Sequence, residues 1–435
     1  MDDLLAARCL MALSLAFHIL FAAVGIAMPL LMVLAEWRWL RTRDPLWLDL
    51  CKRWSKGTAI LFAIGAVSGT ALSFQLGLLW PGFLREAGPV IGLPFAMEGF
   101  AFFLEAICLG LYLYGWRQLR PRVHLAAGVG VLLAGTASGV FVIAANAWMN
   151  VPTGFRSAGG RFVDIDPLAA MCNPMWLPQA AHMLLAAFLA VGFGTAGVHA
   201  FLLLREPGSQ LHRRALGLAL WVGGVAAVVL PLTGDGLAKR VAERQPVKLA
   251  AMEGLFASEQ PAGMRIGGWP DEQQRVTRHA LEIPWLLSLL AYGDPHAKVR
   301  GLEEFPRDQW PPVAVVHVAF QIMVGIGTLL VLVAASAAWL AWRRRPLLAH
   351  RWFLGVLVGC APLGFVGIES GWIVTEVGRQ PWIVQGVLRT AEAVTPVPHV
   401  AASLLVFGSL YVLLFAVVVR LMRRHVFLGP QDSHA

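Results

Sequence analysis

A chain of 435 residues that is 57% hydrophobic and only 14% charged, with a mean hydropathy of +0.65, is a membrane protein with many spans and not a soluble globule. Its net charge of +9 invites a nucleic-acid reading, which the placement of the charges excludes. Five scattered cysteines (Cys9, Cys51, Cys108, Cys172, Cys360) offer no zinc or iron–sulfur spacing and no disulfide framework.

The chain opens MDDLLAAR, acidic rather than basic, and runs into a long apolar stretch carrying His18, which reads as a retained first span and not a cleaved signal. Nine stretches reach the roughly 20 apolar residues that a bilayer crossing needs. They are 10–36, 57–80, 94–116, 123–149, 178–204, 215–234, 313–342, 352–377 and 400–422. The expected fold is all-α, a polytopic membrane helix bundle. Helices one to six fall in 1–234, an outer loop in 235–312, and helices seven to nine with a tail in 313–435.

The basic residues orient this bundle. Alternate connections hold six in 37–56, three in 117–122, three in 205–214, four in 343–351 and three from Arg420 onward, nineteen in all. The opposite short segments hold six. The positive-inside rule then predicts an external N-terminus and a cytoplasmic C-terminus, so the basic balance reflects topology and no nucleic-acid partner is expected. The 235–312 loop carries eleven acidic and ten basic residues, and Val247–Ala257 within it reads as a short helix. A loop of this length is usually functional or disordered.

Few polar groups are forced into the spans: His18, Glu98, Glu105, His182, His199, His317, Glu369 and Glu376, with Met323 as a soft donor. His18, Glu98, His182, Met323 and Glu376 lie on five helices, all in the predicted outer half of the membrane. Imidazole and thioether are common axial ligands of haem, a His/Met pair giving a low-spin iron, whereas an iron with one protein ligand keeps a site open for oxygen. Each residue also has a plainer reading. His199 and His317 can bond a neighbouring helix, Met323 can simply pack, and Glu98 and Glu105 can line an ion path.

The stretch Ile368–Trp382 gathers several of these signals. Glu369 and Glu376 are seven residues apart and share a helix face. Gly378 is expected to end that helix in a left-handed turn, and Pro381 to keep it from resuming.

At these residues the chain resembles subunit I of the cytochrome bd-type quinol oxidases, and looks closer to the cyanide-insensitive branch. The likeness is nearly end to end: AFHILF around His18, AMEGFAFFLE around Glu98 and Glu105, ANAWMN around Asn146, QAAHML around His182, KLAAMEG in the outer loop, FQIMVG around Met323, and GWIVTEVGRQPW. The resemblance implies a haem-bearing subunit that oxidises quinol near the outer face and reduces O2 to water with cytoplasmic protons. By position, His182 and Met323 match the axial pair of a low-spin haem b. His18 and Glu376 match ligands of two high-spin haems, a haem b and a haem d, with a further haem b as the alternative to haem d. Glu98 matches a second carboxylate beside them, Glu105 an acid on the proton route, and Lys248 and Glu253 residues linked to quinol. Arg379, Gln380, Trp382, Glu369 and Asn146 fall in the cofactor surroundings, Arg379 near haem propionates and Glu369 in a hydrogen-bonding role. The resemblance further implies a subunit II partner, small accessory subunits, lipid contact, and residence as a multi-pass protein of the bacterial inner membrane.

With the ligands in the outer half, protons need a polar route through the inner half. Glu105 fits as a relay, with Ser138 and Asn146 on the next span as neighbours. Two departures from the family stand out: a short outer loop, and Gln321 where some members carry Arg, a lost charge expected to lower the low-spin haem's potential. The rival readings are a membrane cytochrome b that passes electrons without oxygen chemistry, and a proton- or ion-coupled transporter.

Overall fold

A computed structural model describes residues 2–158, 161–343 and 350–427. Arg344 and Arg345, counted above for orientation, and the tail beyond Phe427 lie outside them. Fourteen α-helices occur in the described residues, and nine helical stretches there are long and apolar enough to cross a membrane. In chain order these are α1 (Asp3–Thr42), α2 (Pro45–Leu79), α3 (Pro81–Tyr114), α4 (Pro121–Asn150), the short α5 (Pro167–Met171), α6 (Trp176–Arg205) and α7 (Gln210–Arg244). There follow α8 (Pro246–Glu253), α9 (Leu286–Tyr292), α10 (Val313–Trp342), α11 (Arg351–Cys360), α12 (Leu363–Val377), α13 (Thr390–Ala393) and α14 (Val400–Met422).

The helix starts are written locally. Proline occupies the first turn of α2, α3, α4 and α8, where its missing N–H costs nothing. Asp44 caps α2 by accepting from Leu46 N at 3.0 Å. Span eight is two helices, because Pro362 interrupts the backbone ladder between α11 and α12. Gly378 corrects an expectation. It is right-handed, at φ −67°, and glycine is needed there because a Cβ would collide with the Val374 carbonyl oxygen and crowd the Lys248 side chain at 3.1 Å. Close approach, not a left-handed turn, is what it supplies.

Within lipid, helices gain little from hydrophobic burial against one another and associate through close packing of small residues. A Cβ on Gly192 of α6 would meet Gly223 of α7 at 2.5 Å, and one on Gly364 of α12 would meet Ala190 of α6 at 2.5 Å. α6 therefore sits at the centre, backbone against backbone with two neighbours. Large apolar side chains such as Phe100, Phe103 and Ile107 on α3 point outward, more than 60% exposed, as a lipid- or subunit-facing surface requires.

The 235–312 segment is ordered. α7 runs past Asp235 to Arg244, and α8 stops at Glu253, short of the expected Ala257, because Gly254 turns left-handed at φ +61°. Two small antiparallel ladders follow: β1 (Met264–Ile266) with β4 (Leu281–Ile283), and β2 (Trp269–Asp271) with β3 (Val276–Arg278). Two side chains of α10 pin this segment to the bundle. His317 has Met252 O at 2.8 Å and Gly267 O at 3.0 Å, and Gln321 donates to Arg265 O at 2.9 Å while accepting from Gly267 N at 3.0 Å. His317 thus holds both the short helix α8 and the loop that follows it.

Candidate functional site

The histidines within the spans fall into two groups. His18 on α1 places Nδ1 3.1 Å from Ser68 Oγ on α2, and His182 on α6 places Nδ1 3.2 Å from Thr233 Oγ1 on α7. Each hydroxyl donates its one proton to the carbonyl three residues earlier, Ser68 to Gly65 O and Thr233 to Leu230 O. Each must therefore accept from the histidine, which fixes Nδ1–H and leaves Nε2 with its lone pair, the form that ligates iron. Next to each hydroxyl is a glycine that clears the ring: a Cβ on Gly69 would lie 2.9 Å from His18, and one on Gly234 3.3 Å from His182. The fully buried ones, His124, His199 and His317, have both ring nitrogens engaged. His199 accepts from Trp54 Nε1 at 3.2 Å and faces His212 at 3.1 Å, bridging α2, α6 and α7, as the helix-bonding reading held. Met323 on α10 meets a third glycine, since a Cβ on Gly371 of α12 would lie 3.1 Å from its sulfur.

A polar chain surrounds Glu376. Asn146 on α4 donates to Glu376 Oε1, and Arg379 Nη2 donates to Oε2 at 2.6 Å. Gln179, three residues before His182, donates to Asn146 Oδ1 at 2.7 Å. Asn150 contacts the same oxygen at 3.3 Å and accepts from Lys248 Nζ at 2.5 Å, and Lys248 also donates to Thr375 O at 3.3 Å. Lys248 thus lies against the Glu376 turn. Burial pulls its ammonium down to about 7, the Arg379 charge adding to the shift and Glu376 opposing it. A cleft of about 60 Å³, lined by Arg244, Gln245, Gln309 and Gln380 among others, opens over it. Gln380 and Trp382 brace the turn from behind: Gln380 accepts from Thr390 Oγ1 at 3.0 Å, and the Arg389 guanidinium lies over the Trp382 ring.

Asn146, expected beside Glu105, belongs to this chain instead. It lies eleven residues along α4 from Gly135, the glycine that faces Glu105, a separation of about 16 Å at 1.5 Å per residue. Glu98 and Glu105 share a face of α3. Ser138 donates to Glu98 at 3.2 Å, while Glu105 fits between Gly25 of α1 and Gly135 of α4, whose added Cβ atoms would lie 3.6 and 3.0 Å from its carboxylate. Glu369 meets no protein partner among the described residues: its Oε1 is buried and unpaired, as is nearby Trp372 Nε1, so the hydrogen-bonding role expected for it is not met by this chain.

On the loop, Glu253 is buried with Oε2 unpaired, and burial pushes its carboxyl up to about 7 against the pull of Arg265. Arg265 pairs with Glu259 at 2.5 Å and keeps Nη1 buried and unpaired.

With this geometry in view, the sequence model of the family described as cytochrome bd terminal oxidase subunit I matches residues 6–430. The chain belongs to this family. It is 34% identical to a cytochrome bd ubiquinol oxidase subunit 1 of Bacillus subtilis (strain 168), over 100% of this chain and 96% of the relative. It is 30% identical to the cytochrome bd-II ubiquinol oxidase subunit 1 of Escherichia coli (strain K12), over 96% and 95%. The solved structure of bd oxidase from Geobacillus thermodenitrificans matches with a TM-score of 0.92 and 41% identity, covering 97% of this chain and 99% of that one.

The bd family implies haem, and the residues present fit it. Two imidazoles are held with Nε2 free, a thioether faces a glycine, and Arg379 is buried with Nε and Nη1 unpaired, two donors suited to a carboxylate group such as a propionate. Sequence reading missed Ser68, Thr233, Gln179 and Asn150. A signal for the first two was present: both opposite-facing pairs read hydroxyl–glycine, Ser68–Gly69 and Thr233–Gly234.

Proposed function

We propose that this chain, the subunit I of a bd-type terminal quinol oxidase, takes electrons from quinol at the end of the bundle bearing 235–312, and that this end faces outward in a bacterial inner membrane, with a subunit II alongside. The activity is that of a quinol:oxygen oxidoreductase. The observation that carries the site assignment is the pair of hydroxyl-locked imidazoles. Haem supplies one-electron transfer and oxygen binding when bound. His182 and Met323 would hold a low-spin haem b. His18 and Glu376 would hold the high-spin haems, one b and one either d or b, with Arg379 on a propionate.

The rest is proton handling by the chain itself. Glu253, half ionised near neutral pH, is suited to accept a proton as quinol is oxidised. Lys248 supports the Glu376 wall through Asn150 and Asn146, and through it the outer loop. Glu105 and Glu98 pass protons from the other side toward the oxygen site. Electrons and protons then arrive from opposite faces, which separates charge without a pump.

A reduced-minus-oxidised spectrum of the purified protein tests this. Low-spin and high-spin haem bands are expected, the latter shifted by carbon monoxide. No haem bands would leave the transporter reading, and low-spin haem alone would leave the electron carrier. The quinol step has its own signature. Its rate rises as pH passes upward through about 7, where Glu253 loses its proton, and Glu253→Gln removes that limb. A stopped-flow pH profile unchanged in the variant would exclude Glu253 as the acceptor.

A further inference from the structure

Opposite the outer loop, at the basic end of the bundle, two fully buried titratable groups meet. Glu36 near the end of α1 is 0% exposed and His124 at the start of α4 is 3% exposed, with Oε1 and Nδ1 2.8 Å apart. The other ring nitrogen of His124 is 2.9 Å from the carbonyl oxygen of Tyr112. A carbonyl only accepts, so Nε2 carries a proton. A carboxylate oxygen and Nδ1 at 2.8 Å then hold together only with one further proton between them. The pair is neutral when loaded, whichever atom the proton sits nearer. Unloaded, it would bury a carboxylate against a lone pair, a state that favours prompt reloading. Glu36 Oε2 is buried and unpaired, a free acceptor on the same group.

The pair stands at the foot of a column. Glu98, Glu105 and Tyr112 are spaced by seven on α3, so they share one face with about 10.5 Å between successive positions. Glycines of α4 follow the same interval. Gly135 clears Glu105, and Gly128 clears Tyr112, whose ring a Cβ there would meet at 2.7 Å. The Tyr112 hydroxyl is 2.8 Å from Cys51 Sγ, and that sulfur lies 3.5 Å from Met32 O. The Trp116 ring covers His124 at 3.9 Å between centroids, and Lys52 Nζ lies 5.6 Å from the same ring. The pair is thus tied, through the Tyr112 carbonyl, to the residue that continues the Glu98–Glu105 face of α3.

We infer that Glu36–His124 is the proton-loading site at the basic end, from which Glu105 and then Glu98 are supplied. One proton leaves the loaded pair for Glu105 along the α3–α4 face, and one enters from the basic-end side to restore it, so no net charge remains. The inference rests on the oxidase reading, and the test separates the two. Wild-type holoenzyme lacking haem, or lacking quinol-driven oxygen consumption, would sink that reading before any variant is scored.

Glu36→Gln and His124→Asn keep the shape of the contact but cannot carry its proton through. In the complete oxidase, both should retain full haem content and the wild-type rate at which quinol reduces the haems without oxygen. Oxygen consumption, and the voltage developed when the fully reduced enzyme meets oxygen, should slow by about tenfold to a hundredfold, the usual yield of a positioned acid or base. Glu36→Asp, which keeps the acid, should recover part of both. Wild-type voltage kinetics in either haem-replete isostere would overturn the inference. Loss of haem in all three variants, Glu36→Asp included, would make the pair structural and overturn it equally.

Discussion

Replacing His182 with alanine, or Met323 with leucine, should remove the low-spin haem signal and quinol oxidation together. The two residues lie on different helices, α6 and α10, and their surroundings are prepared separately. Thr233 and Gly234 set the tautomer and clear the ring of His182, and Gly371 clears the sulfur of Met323. Neither side chain bonds a third element whose loss would unfold the bundle. The expected result is therefore a folded protein with altered spectrum and quinol oxidation at background, measured by redox difference spectroscopy and quinol-driven oxygen uptake on the same preparation. Normal quinol oxidation with the signal gone would overturn the axial assignment.

The second large effect belongs to Glu105. Glu105→Gln should slow oxygen reduction by about a hundredfold while leaving haem content intact. The carboxylate accepts no hydrogen bond from another described residue, and it fits between two glycines, so an amide of the same size enters without a clash. What is lost is the ability to take up and release a proton. Oxygen uptake and pyridine-haemochrome content measured side by side decide the matter, and loss of every haem in the variant would point to a structural role.

Much of this was legible in the sequence because it is local. Hydropathy runs long enough to span, prolines at helix starts, and carboxylates seven residues apart on one face all act through neighbours in the chain. The nine spans follow from them, and so does the stretch that carries both Glu376 and Arg379, whereas Asn146 and Lys248 entered only through resemblance to the family. What stayed hidden depends on contacts between distant residues. Ser68 meets His18 across 50 residues, Thr233 meets His182 across 51, and Glu36 meets His124 across 88. No periodicity encodes such pairings. The same holds for Asn146, which spacing alone set beside Glu105 but which bonds a helix more than two hundred residues later. Gly378 was misread because its constraint is close approach, to the Val374 carbonyl and to Lys248 of another segment, and not its own backbone angle.

The contact between Lys248 and Asn150 bears on how the outer loop can be exchanged among family members. Because α8 bonds the end of α4 and the last turn of α12, the loop is not a detachable cassette beginning at residue 235. A chimaera cut there would carry a foreign α8 into a socket shaped by Asn150, Thr375 and Gly378. Cutting after Gly254 would leave that socket with its own occupant and move only the ladders and α9. The workable junction for grafting a different quinol preference is therefore on the far side of α8.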